Sequence, residues 1–99
     1  MNNVKDIVKE LIRKKENVIL LDVRDKDEYC DYSIKGSTNI PLSDINQSVY
    51  DILPNKDSII VLYCQSGKRS LTAEGNLRKL GYNNIYNIGS INDLDSIMN

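Results

Sequence analysis

Residues 64–70, Cys64-Gln65-Ser66-Gly67-Lys68-Arg69-Ser70, set one thiol ahead of a glycine, two cations and two hydroxyls. An ordinary thiol, with a pKa of about 8.5, is only about 3% ionised at pH 7, and the thiolate is the nucleophile. The chain contains no histidine, which rules out Cys–His protease chemistry and any histidine metal site. Activation of Cys64 therefore falls to its own loop. Backbone N–H groups of a tight loop can converge into an anion nest, the positive end of a following helix adds to it, and Lys68 and Arg69 bring full charges. Gly67 supplies the tolerance of positive φ that such a curl needs. The plain structural alternative is an inert cysteine closing a strand, with exposed cations after it.

The elements around this loop must aim it. Ile59 to Tyr63 is an apolar, β-branched run that stops at Cys64, and Ser70 opens a stretch of helical spacing to Leu80, with Leu71, Leu77 and Leu80 on its packing face. Strand, loop, helix puts the cysteine at a strand's carboxyl end, where open α/β sheets place their sites. Gly75 inside the helix costs about 1 kcal/mol relative to alanine, which close approach to the sheet would explain, and Gly81 fits the position that ends the helix. Val18 to Val23 reads as a strand buried on both faces, hence central and parallel. Asp22 and Arg24 at its end must pair or bond backbone if buried.

Elsewhere, Val4, Ile7, Val8, Leu11 and Ile12 mark an amphipathic helix. Lys9, Arg13, Lys14 and Lys15 lie mostly off its apolar face, as a solvated, dipole-matched end or a basic docking patch. Asp25 caps a short helix through Asp27, Glu28 and Tyr29. Cys30 falls in or near that helix, as a small core-filling side chain or as a second, relay thiol for Cys64. Ser37 to Leu42 reads as a short strand ending at Pro41, which cannot donate to a sheet ladder. Ser43 caps a helix to about Leu53, with Ile45, Val49, Ile52 and Leu53 inward. Residues 54–57 form a turn, Asn84 to Ile88 a last strand, and Ser90 caps a final helix through Leu94, Ile97 and Met98. Strands alternating with helices predict an α/β fold with a largely parallel sheet of four or five strands.

Ninety-nine residues, 40% of them hydrophobic, make one domain, residues 1–99. Thirteen cationic against fourteen anionic side chains leave a net charge of −1, so no broad attraction to nucleic acid or membrane is expected. Met1 is followed by polar residues, without a signal peptide's apolar core, and no apolar run reaches membrane-spanning length. Two cysteines, Cys30 and Cys64, form no disulfide framework. A reducing cytoplasm is the expected compartment.

The loop Cys64–Ser70 resembles the active-site loop of a rhodanese-type sulfurtransferase domain. Leu20-Leu21-Asp22-Val23-Arg24, with Glu28-Tyr29 after it, is similar to that family's first signature, and Ile34-Lys35-Gly36-Ser37-Thr38-Asn39-Ile40-Pro41 to its second. Leu80-Gly81-Tyr82 and Ile88-Gly89 fall where its closing segments stand. The chain departs from the family pattern in having Tyr32-Ser33 for Gly-His, Ser37 for alanine, and Gly89-Ser90 without a tryptophan, Leu94 standing near that position.

The resemblance implies a rhodanese-like fold, with helices on both faces of the sheet, and a thiosulfate sulfurtransferase. Cys64 would take sulfane sulfur from an anionic donor and hold it as a persulfide without cofactor or metal. Gln65, Ser66, Gly67, Lys68, Arg69 and Ser70 would contact the donor or the persulfide, and Asp22 and Arg24 would buttress the site. The acceptor would be cyanide, a small thiol or a thiol protein.

Two other functions fit less well. A cysteine-dependent phosphatase or arsenate reductase uses a Cys-x5-Arg loop, whereas Arg69 follows Cys64 after four residues. A non-enzymatic regulatory module commonly lacks the cysteine.

Overall fold

The computed structural model describes residues 3–14 and 16–98; Met1 and Lys15 lie outside them, and with them the expectations that rest on those two residues. Helix α1 (Val4–Arg13) precedes strand β1 (Val18–Asp22), helix α2 (Lys26–Asp31) and the two-residue strand β2 (Thr38–Asn39). A 3₁₀ turn (Leu42–Asp44) leads into α3 (Ile45–Ile52), then β3 (Ile59–Cys64), α4 (Lys68–Lys79), β4 (Ile85–Ser90) and α5 (Ile91–Met98). The four strands form one sheet in the order β2-β1-β3-β4, every pair parallel. The α/β class and parallel sheet expected from the sequence are present, at the lower strand count.

The register brings the chemistry-bearing residues to one end of the sheet. Asp22 lies opposite both Asn39 and Tyr63, and Cys64 lies opposite Ser90. Because side chains alternate along a strand, β3 sends Ile60, Leu62 and Cys64 to one face and Val61 and Tyr63 to the other. On the first face these pack with Ile45 and Val49 of α3, Ala73 and Leu77 of α4, and Tyr82. On the second they meet Val8 of α1, Ile34, and Ile91 and Leu94 of α5. The near-continuous apolar runs of β1 and β3 are thus explained by two covered faces.

Several sequence expectations are corrected. The strand expected over Ser37–Leu42 shrinks to Thr38–Asn39; Pro41 has no N–H to donate. Ser43 caps no helix, because it lies inside the 3₁₀ turn, and Ile52 is 46% exposed rather than inward. Helix α4 starts two residues earlier than expected, at Lys68. Leu71 is 68% exposed: six residues before Leu77, it stands about 240° around the helix, and Ala73 fills the packing position. A side chain at Gly75 would meet nothing within 4 Å, so close approach to the sheet does not account for that glycine. Gly81 does end α4 at φ +101°, and Ser90 Oγ accepts from the Asn92 N–H at 3.0 Å.

Beyond α4 the chain is pinned by Tyr82, fully buried, whose hydroxyl donates to the Leu53 carbonyl at 2.5 Å. Tyr82→Phe strands that carbonyl in the core and lowers unfolding stability by about 1–3 kcal/mol, measured by urea denaturation.

Candidate active site

The sulfur of Cys64 sits where β3 ends and the chain curls into α4. Cys64 is fully buried, while Gln65 and Ser66 beside it are exposed. The curl turns on Gly67, whose φ of +101° lies in the left-handed region that a side chain would strain. That geometry aims the Gly67 N–H at Sγ, 3.0 Å away, and the Ser70 N–H is the next donor, at 3.4 Å. Gly67 caps α4, so both donors belong to the helix's first turn and its positive end. The Ser70 hydroxyl, also buried, donates to the Gly67 carbonyl at 3.0 Å and stands within reach of the sulfur.

These contacts set the acidity of the thiol. Burial pushes it up, but the amide and hydroxyl of Ser70 and the amides of Gly67 and Ser66 outweigh burial, and the pKa falls below the ordinary value. Hydrogen bonds to the charged form thus prevail over desolvation.

The two cations of the loop part company. Arg69 does not face the sulfur alone: its Nη1 donates to Glu28 Oε1 at 2.6 Å and its Nη2 to Oε2 at 3.0 Å. This fork ties α4 to α2 and holds the Glu28 carboxyl down at about pKa 2, chiefly through the Arg69 hydrogen bonds and despite burial. Glu28 Oε1 also accepts from the Asp25 N–H at 3.1 Å, the helix-capping contact. Lys68 is exposed and makes no ion pair among the described residues.

Beneath the loop stands a buried ion pair. Asp22, at 0% exposure, accepts from Nε and Nη2 of Arg24, at 3%. Burial pushes the Arg24 guanidinium down and Asp22 more than offsets it, so the group stays cationic. The remaining donors reach outward, to the Tyr32 carbonyl at 2.5 Å and to Gln65 Oε1 at 3.3 Å. The pairing expected of Asp22 and Arg24 is present, and it touches the Cys64 loop through Gln65.

Asn39, to which the sequence assigns no role, donates to the carbonyls of both Asp22 and Arg24, at 3.0 and 2.9 Å. In the sequence Glu28 stands out only as a member of the capped short helix and by its spacing from the first signature. Its guanidinium partner lies 41 residues away, a separation that no local pattern reports.

Cys30 is exposed, not core-filling. It lines a cleft of about 460 Å³ with Lys26, Tyr29, Asn39, Pro41 and Asp44, and no residue of the Cys64 loop shares that lining. Among the described residues no His/Cys/Asp/Glu cluster suits a metal ion, and no helix is long and apolar enough to cross a membrane.

The family profile described as rhodanese-like domain matches residues 4–94. The chain is 30% identical over 74 residues to the thiosulfate sulfurtransferase PspE of Escherichia coli, covering 75% of this chain and 71% of that one. It is 36% identical over 75 residues to the human thiosulfate:glutathione sulfurtransferase, covering 64% of this chain and 65% of the relative. Among solved structures, an E. coli rhodanese with anions superposes with a TM-score of 0.72 at 29% identity, over 77% of this chain and 89% of that one. The chain spans 58% of a putative mitochondrial thiosulfate sulfurtransferase of Schizosaccharomyces pombe and 20% of a probable molybdopterin-synthase adenylyltransferase of Porphyra purpurea.

The Glu28–Arg69 fork has a pH signature. A carboxylate whose pKa is lowered on folding, here from 4.5 to about 2, stabilises the fold above the unfolded pKa. That contribution is lost as pH falls through the folded one. Urea midpoints measured from pH 6 to pH 2 fall less steeply below pH 4.5 in Glu28→Gln than in the unsubstituted chain.

Proposed function

The chain belongs to the rhodanese-like domain family, and we propose that it moves sulfane sulfur from thiosulfate or a similar donor to a thiophilic acceptor through a persulfide on Cys64. The observation that carries this reading is the pair of amides at 3.0 and 3.4 Å from Cys64 Sγ, in a chain without histidine. A thiolate held by backbone dipoles needs no general base.

In the first half-reaction the Cys64 thiolate attacks the outer sulfur of thiosulfate. The new bond joins Cys64 Sγ to that sulfur, the S–S bond of thiosulfate breaks, and sulfite leaves with the electron pair. Net charge is conserved, because a thiolate and a dianion become a persulfide anion and a dianion. In the second half-reaction an acceptor such as cyanide, a thiolate or a protein thiol attacks the terminal sulfur and restores the Cys64 thiolate. Cyanide leaves as thiocyanate; a thiol leaves as its own persulfide.

The loop's roles divide accordingly. Gly67 and Ser70 hold the negative sulfur. Gln65 and Ser66 are exposed over a buried thiol, so they give way to admit the donor, and the long Arg24–Gln65 bond, 3.3 Å, is the weak tie that yields. Lys68 offers a solvated charge to an incoming anion. Arg69, already forked onto Glu28, braces the loop more than it binds substrate. Asp22 and Arg24 support the floor. The short interval between Cys64 and Arg69 and the sulfurtransferase relatives favour sulfur over phosphate-ester chemistry.

Mixing the protein with thiosulfate adds one sulfur atom to its intact mass, mapped to Cys64 and removed by cyanide; Cys64→Ala remains folded and takes up none. Uptake that persists in Cys64→Ala overturns the reading. Lys68→Ala raises KM for thiosulfate several-fold, as loss of one solvated charge would, with little change in kcat, read from steady-state thiocyanate formation.

A further inference from the structure

The amide that bonds Cys64 most closely belongs to Gly67, and Gly67 rests on a second glycine of unusual conformation. Gly89, near the end of β4, has φ +91°. A methyl group added at Gly67 would stand 3.6 Å from the Gly89 Cα, and one added at Gly89 would stand 3.9 Å from the Gly67 Cα. Two backbones are thus in contact, with no side chain between them.

The seat is produced by a bulge. Opposite β3, Leu62 pairs with Asn87 and Tyr63 with Gly89, so Ile88 is one residue too many on β4. Such an insertion bends the strand and re-aims the residues beyond it. Asn87 closes the bulge with both ends of its amide. Its Oδ1 accepts from the Gly89 N–H at 3.0 Å, and its Nδ2 donates to Glu74 Oε1, on α4, at 3.2 Å. One side chain therefore ties the strand end carrying Gly89 to the helix capped by Gly67.

We propose that Asn87 and Gly89 are positioning residues for sulfur transfer, forming the seat against which Gly67 keeps its amide on Cys64 Sγ. The proposal rests on the reading of Cys64 as a working thiolate. Neither residue touches the sulfur, and each acts through Gly67.

The test is alkylation of Cys64 by iodoacetamide from pH 5 to pH 9, in chains whose exposed second thiol is removed by Cys30→Ser. Gly89→Ala fits the space but strains the backbone at positive φ, so β4 relaxes and the seat moves. Asn87→Ala frees the bulge and introduces no such strain, and it carries the test alone if Gly89→Ala does not fold. Both raise the alkylation midpoint by about one pH unit, a tenfold loss of thiolate at pH values well below both midpoints, as expected for weakening one hydrogen bond to a charged sulfur.

Gly36→Ala is the control. Gly36 has φ +84° with nothing within 4 Å of an added Cβ, so it carries comparable strain without the loop contact and keeps the original midpoint. Folded Asn87→Ala with an unchanged midpoint overturns the proposal, as does an equal shift in Gly36→Ala. An ordinary midpoint already present in the Cys30→Ser parent removes the thiolate reading itself, and the seat's role with it, which separates the two failures.

Discussion

A sulfur atom with no access to water sits within hydrogen-bonding distance of two peptide N–H groups. Everything else about the loop can be understood as keeping that geometry. Burial opposes the thiolate, and the balance is reversed only by donors that are already in place. Peptide dipoles fixed by the first turn of a helix reorganise little when charge appears on the sulfur, which is the sense in which such a site is preorganised. A lysine on a flexible stem does this less well, consistent with Lys68 standing in solvent and the amides standing on the sulfur.

Two ion pairs frame the loop from below and from the side. Asp22 and Arg24 are so deeply buried that removal of either would leave an uncompensated charge, and their spare donors fasten the Tyr32 carbonyl and Gln65. Glu28 and Arg69 join two helices that are far apart in sequence. The two loop cations that look alike in sequence therefore differ in place: Arg69 is forked onto Glu28, and Lys68 stands in solvent. A charge in a motif states its chemistry but not its partner.

That division marks the boundary of what the sequence discloses. The strand–loop–helix unit around Cys64, the left-handed Gly67, the end of α4 at Gly81 and the Asp22–Arg24 pairing are all local or strongly patterned, and they can be read from residue types alone. Leu71 and Ile52 are misplaced by their spacing because short amphipathic stretches admit more than one phase. The extent of β2 is overestimated because the backbone bonds of Ile40 to Asp22 and of Leu42 to Val23 flank Pro41, which has no N–H to donate. Glu28 and Asn39 escape because their partners are brought together only by the fold. Cys30 has the size and polarity of a core-filling residue, but the short helix that carries it turns it outward.

The displaced residue in β4 has one more effect. β4 is an outer strand of the sheet, and a long, flat outer strand offers its unpaired backbone to any neighbouring chain. At Ile88 the even spacing of donors and acceptors is interrupted, and the strand ends at Ser90 directly before α5. On the opposite margin β2 extends for only two residues. Both borders are thus poor templates for a second copy, and the sheet resists edge-to-edge growth.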